Sequence, residues 1–455
     1  MTDIAVLANE RQQLFKDLFR GKVPKRVPIS NPLTLEAAAH YAGVDIAELF
    51  WDMTKAEKVY DRVSQDFVSD TMLGAGRRFP SFYQILGSKP FVMSSTGQMQ
   101  HPNVMGMTPE DYDEFIASPL DTIVDKILPR LYTELDTEPN YRAMIMAKAM
   151  RAWTDEIATL GMLAGKMNAK YGFASIPGSA TTGPLDFMAD FFRSFTGICG
   201  DIRRYPDKVV AACEAITPLL IKKGMLQVPS NFGMTVIPLH MATYMRTKDF
   251  EKFYWPTLKK QVEALTEAGI NVQLFVEDDW MRYLDYLNDL PEHTILRFEY
   301  GDPKLAKEKV GKKHIISGFY PLTLLHTGTR EQCIDKAKEL LDVLAPGGNY
   351  WFNLDKGPFD MYGNIAENLK AVLEYVHENG KYDNYDNTVE RAPKVSRTKE
   401  VITEINNSIH SKYFTTLEKY KEIHPELAER PEHVFGPRIQ KFEDIMFNFT
   451  INLCS

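Results

Sequence analysis

Apolar and polar positions change their rhythm along this chain. Residues 3 to 20 carry Leu7, Leu14, Phe15, Leu18 and Phe19 at helical spacing, and the pattern stops at Gly21. A short strand-like piece follows at residues 26–30. Residues 33–165 read mainly as helices, broken at Gly74-Ala-Gly76, Phe79-Pro80 and Gly87. From about residue 170, short apolar runs at 171–176, 234–239, 272–276, 295–300, 314–319 and 349–354 alternate with amphipathic segments. Helices are expected among them at 249–268, 279–289, 329–344 and 363–379.

Strand–helix alternation with short connections implies parallel strands. Six such units, joined by strands from the first half, predict an α/β fold: a closed (β/α)8, or TIM, barrel with an N-terminal helical region and a C-terminal helical extension. An open doubly wound sheet would carry a GxGxxG phosphate loop, and none is present; Gly74-Ala-Gly76 runs into Arg77-Arg78. The barrel unit is expected to span residues 1–382. Residues 383–455 read as an appendage, with a polar linker at 384–399 and helical patterns near 396–422 and 437–450. Its aromatics (Tyr413, Phe414, Tyr420, Phe442, Phe447, Phe449) suit docking on the barrel or on a partner subunit.

Composition narrows the class. The 455 residues are 44% apolar and 25% charged, enough for one large core. The 53 basic and 61 acidic side chains leave a net charge of −8, which argues against binding nucleic acid. Cys199, Cys213, Cys333 and Cys454 are scattered without a CxxC pair, so a reducing compartment is expected rather than a disulfide framework. No signal pattern opens the chain and no run approaches eighteen apolar residues, so a cytoplasmic protein without membrane contact is expected.

Barrel chemistry gathers where strands end. His240 follows the run ending at Leu239, and Glu277-Asp278-Asp279 follow Val276. Tyr320-Pro321 and then His326 follow the run ending at Phe319; Asp355-Lys356 and then Asp360 follow Leu354. Histidine with carboxylates can hold zinc, although these residues come from separate strands without HExxH spacing. On the residues alone, His240 reads more readily as a hydrogen-bonded structural histidine. Asp278 and Asp279 read as a helix cap and dipole partner. Glu277, one step earlier, is less well explained by capping. His326 can simply lie in a loop, and Cys333 reads as core. The aromatic segment 187–195 reads first as the apolar face of an amphipathic helix, with the wall of an aromatic pocket as the alternative.

Several stretches, in order, carry a specific likeness: residues 11–29; Gly183-Pro184-Leu185-Asp186 with Tyr205-Pro206-Asp207-Lys208-Val209; residues 250–256; Ile316 to Pro321 followed by Thr327-Gly328-Thr329; and Ala366-Glu367-Asn368. Over roughly residues 10–380 the chain resembles the uroporphyrinogen decarboxylase superfamily. The decarboxylases carry an arginine-rich stretch after the first strand, but residues 30–39 here contain no arginine to clamp a substrate rich in carboxylates. Phe275-Val276-Glu277 departs from the His-x-Cys pair of the coenzyme M methyltransferases. The chain is more similar to the group with a Pro-Leu-His segment, here Pro238-Leu239-His240, and a strand-end glutamate. That group is associated with O-demethylation of methoxylated aromatics.

The resemblance implies a methyltransferase that moves a methyl group from an aryl methyl ether to Co(I) of a separate corrinoid protein. It implies zinc held by His240 and Glu277, which also carry the catalytic role, with His326 as third ligand and Asp360 in reserve. Phe191, Phe192, Phe195 and Trp280 are the candidate pocket walls, and a homodimer is expected. The alternatives are a decarboxylase of a porphyrinogen or small acid, which needs no metal, and a non-catalytic module that binds a corrinoid protein.

Overall fold

A computed structural model describes all residues except 1, 2, 75–77, 229, 231, 386–395, 428 and 455. Six parallel strands lie side by side in chain order: β1 (Gly178–Ala180), β2 (Met234–Leu239), β3 (Asn271–Asp279), β4 (Ile295–Tyr300), β5 (Ile315–Gly318) and β6 (Tyr350–Trp351). Residues 26–30 close the ring. Ile29 bridges Phe352 in parallel, the Phe352 N–H donates to Pro28 O at 2.9 Å, and Ser30 N–H donates to Phe352 O at 3.2 Å. Asp70 N–H then donates to Ile29 O, and Ala174 N–H to Asp70 O, both at 2.8 Å. These contacts supply the remaining two staves, and the expected (β/α)8 barrel is what forms.

The opening helix, Ile4–Phe19, plugs the end of the barrel where the strands begin. Phe15, Leu18 and Phe19 cluster with Ala174, Ile295, Ile315 and Trp351. Asp70 locks the same end. Its buried carboxylate accepts from Arg26 at 2.7 and 2.5 Å and from Ile29 N–H at 2.8 Å, with Arg11 at 3.6 Å. The opposite end, where the strands finish, is left as the mouth.

Two local expectations change. The run at 171–176 is not a strand: the helix Pro139–Tyr171 continues to a left-handed Gly172, and the strand starts only at Gly178. A helix was expected from 279, but β3 runs on to Asp279 through a bulge after Val276, and the next α-helix is Leu284–Asn288. Asp278 takes a left-handed conformation (φ 60°) that aspartate tolerates, and its N–H donates to Glu299 at 2.9 Å. Asp278 therefore does not cap. Asp279 does cap a turn, accepting from Met281 N–H at 2.9 Å.

The C-terminal helices Thr398–Ser408, Leu417–Ile423 and Glu432–Asn452 dock on this chain's own barrel helices. Phe414, Phe447 and Phe449 are buried in the common core, whereas Tyr413 and Phe442 stay exposed. Lys222, on the helix Pro206–Gly224, reaches Asp444 at 2.6 Å and Asn406 at 2.9 Å, and Tyr132 donates to Leu453 O at 2.5 Å. Most of the expected linker, 386–395, lies outside the described residues. No helix among the described residues is long and apolar enough to cross a membrane.

Two predictions follow from this packing. Asp70→Ala leaves the Arg26 and Arg11 guanidiniums in a closed barrel end without their counter-charge, and should cost about 3–5 kcal/mol in urea unfolding. His314, wholly buried at the start of β5, has its pKa pushed down to about 4 by burial, with Lys313 adding to the effect. The unfolded chain binds this proton near pH 6.5 and the folded chain does not. Stability is therefore undiminished by this group above pH ~6.5 and falls by up to about 3 kcal/mol as pH drops towards 4. His314→Leu should flatten the urea midpoint between pH 7 and 4.5 relative to the parent.

Candidate active site

The mouth is organised around the end of β2. Asp186 sits in the short helix Pro184–Phe187, directly after Gly183, where a Cβ would lie 2.8 Å from the Asp186 carboxylate. The Asp186 carboxylate accepts the N–H groups of His240 at 3.1 Å and Met241 at 2.7 Å, and the Tyr254 hydroxyl at 2.5 Å. It thereby fixes the backbone on which His240 stands. One turn later Asp190 meets His240 Nδ1 at 2.7 Å. His240 Nε2 faces Glu277 Oε1 at 3.2 Å across the gap to β3. The main chain of Glu277 is held in turn, because the Trp280 indole N–H donates to its carbonyl at 3.0 Å.

Charge in this cluster is strongly coupled. Burial would lower the basicity of His240, but hydrogen bonds to Asp190 and Glu277 outweigh it and carry its pKa up to about 11. Burial and the neighbouring charge of Asp190 push Asp186 up to about 7, with His240 opposing. The result is an imidazolium clasped between two carboxylates at the rim. His240 and Glu277 side chains each remain about a third exposed, at 31% and 32%.

A cation could take the proton's place on Nε2. A metal-bound histidine ordinarily gives its other ring N–H to a carboxylate, and Asp190 is in that position. Imidazole nitrogen and carboxylate oxygen are donors that zinc accepts. Among the described residues, however, no group of three His, Cys, Asp or Glu side chains is arranged to hold a metal ion. Two donors fit, and a third protein donor is not gathered with them. His326 lies exposed in the helix Leu322–Thr327, and Asp360 accepts the Tyr362 N–H at 3.2 Å in the segment after β6.

The four expected pocket aromatics separate. Phe191 is partly buried, 5.3 Å from Phe187 and 5.5 Å from the His101 ring. Phe195 is exposed, edge-on to Tyr244 at 6.0 Å. Phe192 and Trp280 are wholly buried and wall no pocket. Phe192 follows Phe191 around the same helix and points into the core against Phe115 and Phe187. Trp280 packs among Phe250, Tyr254 and Tyr283. Sequence reasoning missed Asp186 and Asp190 as site residues. Their signal was present as two carboxylates four residues apart on an otherwise apolar helix face. His101 was also missed. Its ring stacks on Phe91 at 4.8 Å, and its pKa is lowered by burial and by Arg78, with Asp190 opposing. It comes from a loop with no motif.

Comparison with known proteins agrees with this architecture. Residues 174–379, which run from the third stave to the last barrel helix, match the uroporphyrinogen decarboxylase (URO-D) family. A uroporphyrinogen decarboxylase of Anaeromyxobacter dehalogenans (strain 2CP-C) is 29% identical over 133 residues, which cover 29% of this chain and 37% of that protein. A methyltransferase from Methanosarcina mazei superposes with a TM-score of 0.54 at 16% identity, covering 81% of this chain and 98% of that one, and so shares its fold. The second half of this chain is thus similar in sequence to the uroporphyrinogen decarboxylase family, and its barrel has the fold of the methyltransferase.

Proposed function

We propose that the chain is a zinc-dependent methyltransferase that takes the methyl group of a methoxylated aromatic compound and delivers it to Co(I) of a separate corrinoid protein. The observation that carries this reading is the His240–Glu277 pair at the barrel mouth, with His240 oriented from behind by Asp190. The fold shared with a methyltransferase is consistent with it.

In this reading each residue has a distinct task. Asp190 keeps the proton on His240 Nδ1, which leaves Nε2 as the donor towards the mouth. Asp186 and Tyr254 hold the strand end so that His240 cannot swing away. Glu277 supplies the carboxylate donor from the neighbouring stave. Phe191 and Phe195 offer ring surface for an aromatic substrate. A zinc ion held by His240 and Glu277 would supply a Lewis acid for the ether oxygen, whose phenolate is a poor leaving group because a phenol's pKa is about 10. The C–O bonding pair would stay on oxygen, and the Co(I) corrinoid of the partner protein would supply the pair for the new bond to the methyl carbon. The corrinoid protein would approach at the mouth, where His240 and Glu277 are partly exposed. The reading places the protein in the cytoplasm.

The 29%-identical relative keeps decarboxylation as a second reading. Decarboxylation needs no metal, so metal content separates the two. Protein purified without chelator should carry one zinc per chain by elemental analysis. It should also demethylate methoxybenzoates only when a Co(I) corrinoid protein is supplied. Zinc that persists in a His240→Ala/Glu277→Ala double variant, or that is absent from the parent, sinks the site assignment. Asp190→Asn should keep the fold but weaken zinc affinity about 10–100-fold in competition with a chelator. An unchanged affinity would mean that Asp190 does not support the ligand.

A further inference from the structure

The helix Pro139–Tyr171 is 33 residues long, yet only Ile145, Ala149, Leu163 and Met167 of it are buried. Its outer face carries a second pattern. From Tyr141 to Gly165, side chains spaced alternately three and four residues apart form one continuous stripe, and every one of them is exposed. That spacing is the heptad period of a helix that packs along another helix. The stripe runs for about 36 Å. Met162 is 71% exposed, Met144 57% and Tyr141 49%, so large apolar side chains stand in water along it. Gly161 and Gly165 lie on the same face, and a Cβ at either would meet nothing within 4 Å. Glycine inside a helix lowers stability relative to alanine, and the packing of this chain gives no reason for either one.

One arrangement makes the stripe complementary to itself. On an antiparallel second copy, with a two-fold axis at the level of Trp153, Met144 stands opposite Met162 and Tyr141 opposite Gly165. Lys148, whose stem can cover a methyl group, stands opposite Ala158, and Arg151 opposite Asp155. Sliding one copy by a heptad in one direction sets Lys148 against Arg151 and Met144 against Asp155. Sliding it the other way sets Arg151 against Met162 and Asp155 against Ala158. A parallel pair sets Arg151 against Arg151 and Asp155 against Asp155. Opposed like charges are unfavourable, so charge selects the first register. Within one chain, Arg151 Nε meets the Asp155 carboxylate at 2.9 and 3.0 Å, with the two side chains 79% and 60% exposed. Among the described residues the terminal nitrogens of Arg151 make no hydrogen bond, and they are the donors that a second Asp155 can take. Ala147, Thr154 and Gly161 flank the stripe and are small enough to let two backbones approach.

We infer that this face is a self-association surface, on which two copies of the chain pair through antiparallel Pro139–Tyr171 helices, with Arg151–Asp155 contacts at the centre and Met144–Met162 contacts on either side. The interface is isologous, as a two-fold dimer requires. None of these residues belongs to the His240–Glu277 site, so the inference stands apart from the chemistry proposed there.

Sedimentation of the full-length protein over a micromolar concentration series should show a dimer. Arg151→Glu opposes like charges at two symmetric contacts and should weaken that dimer at least about tenfold. Arg151→Glu/Asp155→Arg exchanges the charges and should return the affinity close to that of the parent, which a merely damaged fold would not do. Register is read by oxidative cross-linking in a Cys199→Ser background, because Cys199 is exposed and the other three cysteines are buried. A mixture of chains carrying Met144→Cys and chains carrying Met162→Cys should form a disulfide-linked pair. Neither should do so alone, since the two copies of either position lie about 27 Å apart along the helix axis. A parent that stays monomeric, a dimer indifferent to Arg151→Glu, or a Met144→Cys chain that cross-links to itself overturns the assignment.

Discussion

The contact between His240 and its carboxylates organises the mouth of this barrel. An imidazole between Asp190 and Glu277 ties the helix after the third stave to the ends of β2 and β3. Behind it, Asp186 spends its hydrogen-bonding capacity on the backbone of the same strand end and on Tyr254. Burying Asp186 beside Asp190 is unfavourable unless positive charge stays close. His240 supplies that charge as an imidazolium, and a bound cation could supply it in the same place. The site and its electrostatic support are therefore one unit, and a change at any member shifts the others.

The two ends of the barrel handle charge in opposite ways. At the closed end, Asp70 is saturated by Arg26, Arg11 and a backbone N–H beneath the plugging helix, an arrangement that serves stability. At the mouth, His240 and Glu277 stay partly exposed. Partly exposed charge at the strand ends suits a binding site, although the Trp351 indole N–H beside the plugging helix is also without a hydrogen-bond partner among the described residues.

Much of the architecture was legible along the chain. The alternation of apolar runs with amphipathic segments after residue 170 specified parallel strands, because period and connection length are local properties. The first stave, residues 26–30, was legible too. The second, at residues 69–71, was not: Ser69, Asp70 and Thr71 form no apolar run, and their strand character comes from bonding to Ile29 and Ala174. The strand at 171–176 was misread because apolar residues can end a long helix as easily as begin a strand. The end of β3 was misread because its bulge depends on bonding to β4.

Sequence by itself determined the alternating elements, the strand-end positions of His240 and Glu277, and the lack of an arginine clamp at residues 30–39. These follow from order and spacing, which a linear chain already contains. Only the tertiary structure decided that those two side chains meet, that Asp186 and Asp190 stand behind them, and that His326 lies apart from them. It also decided that Phe192 and Trp280 are core while Phe191 and Phe195 keep exposed surface. Ring closure sets which residues face the lumen at one level, and neighbours such as Arg297 and Phe275 become adjacent only through strand register.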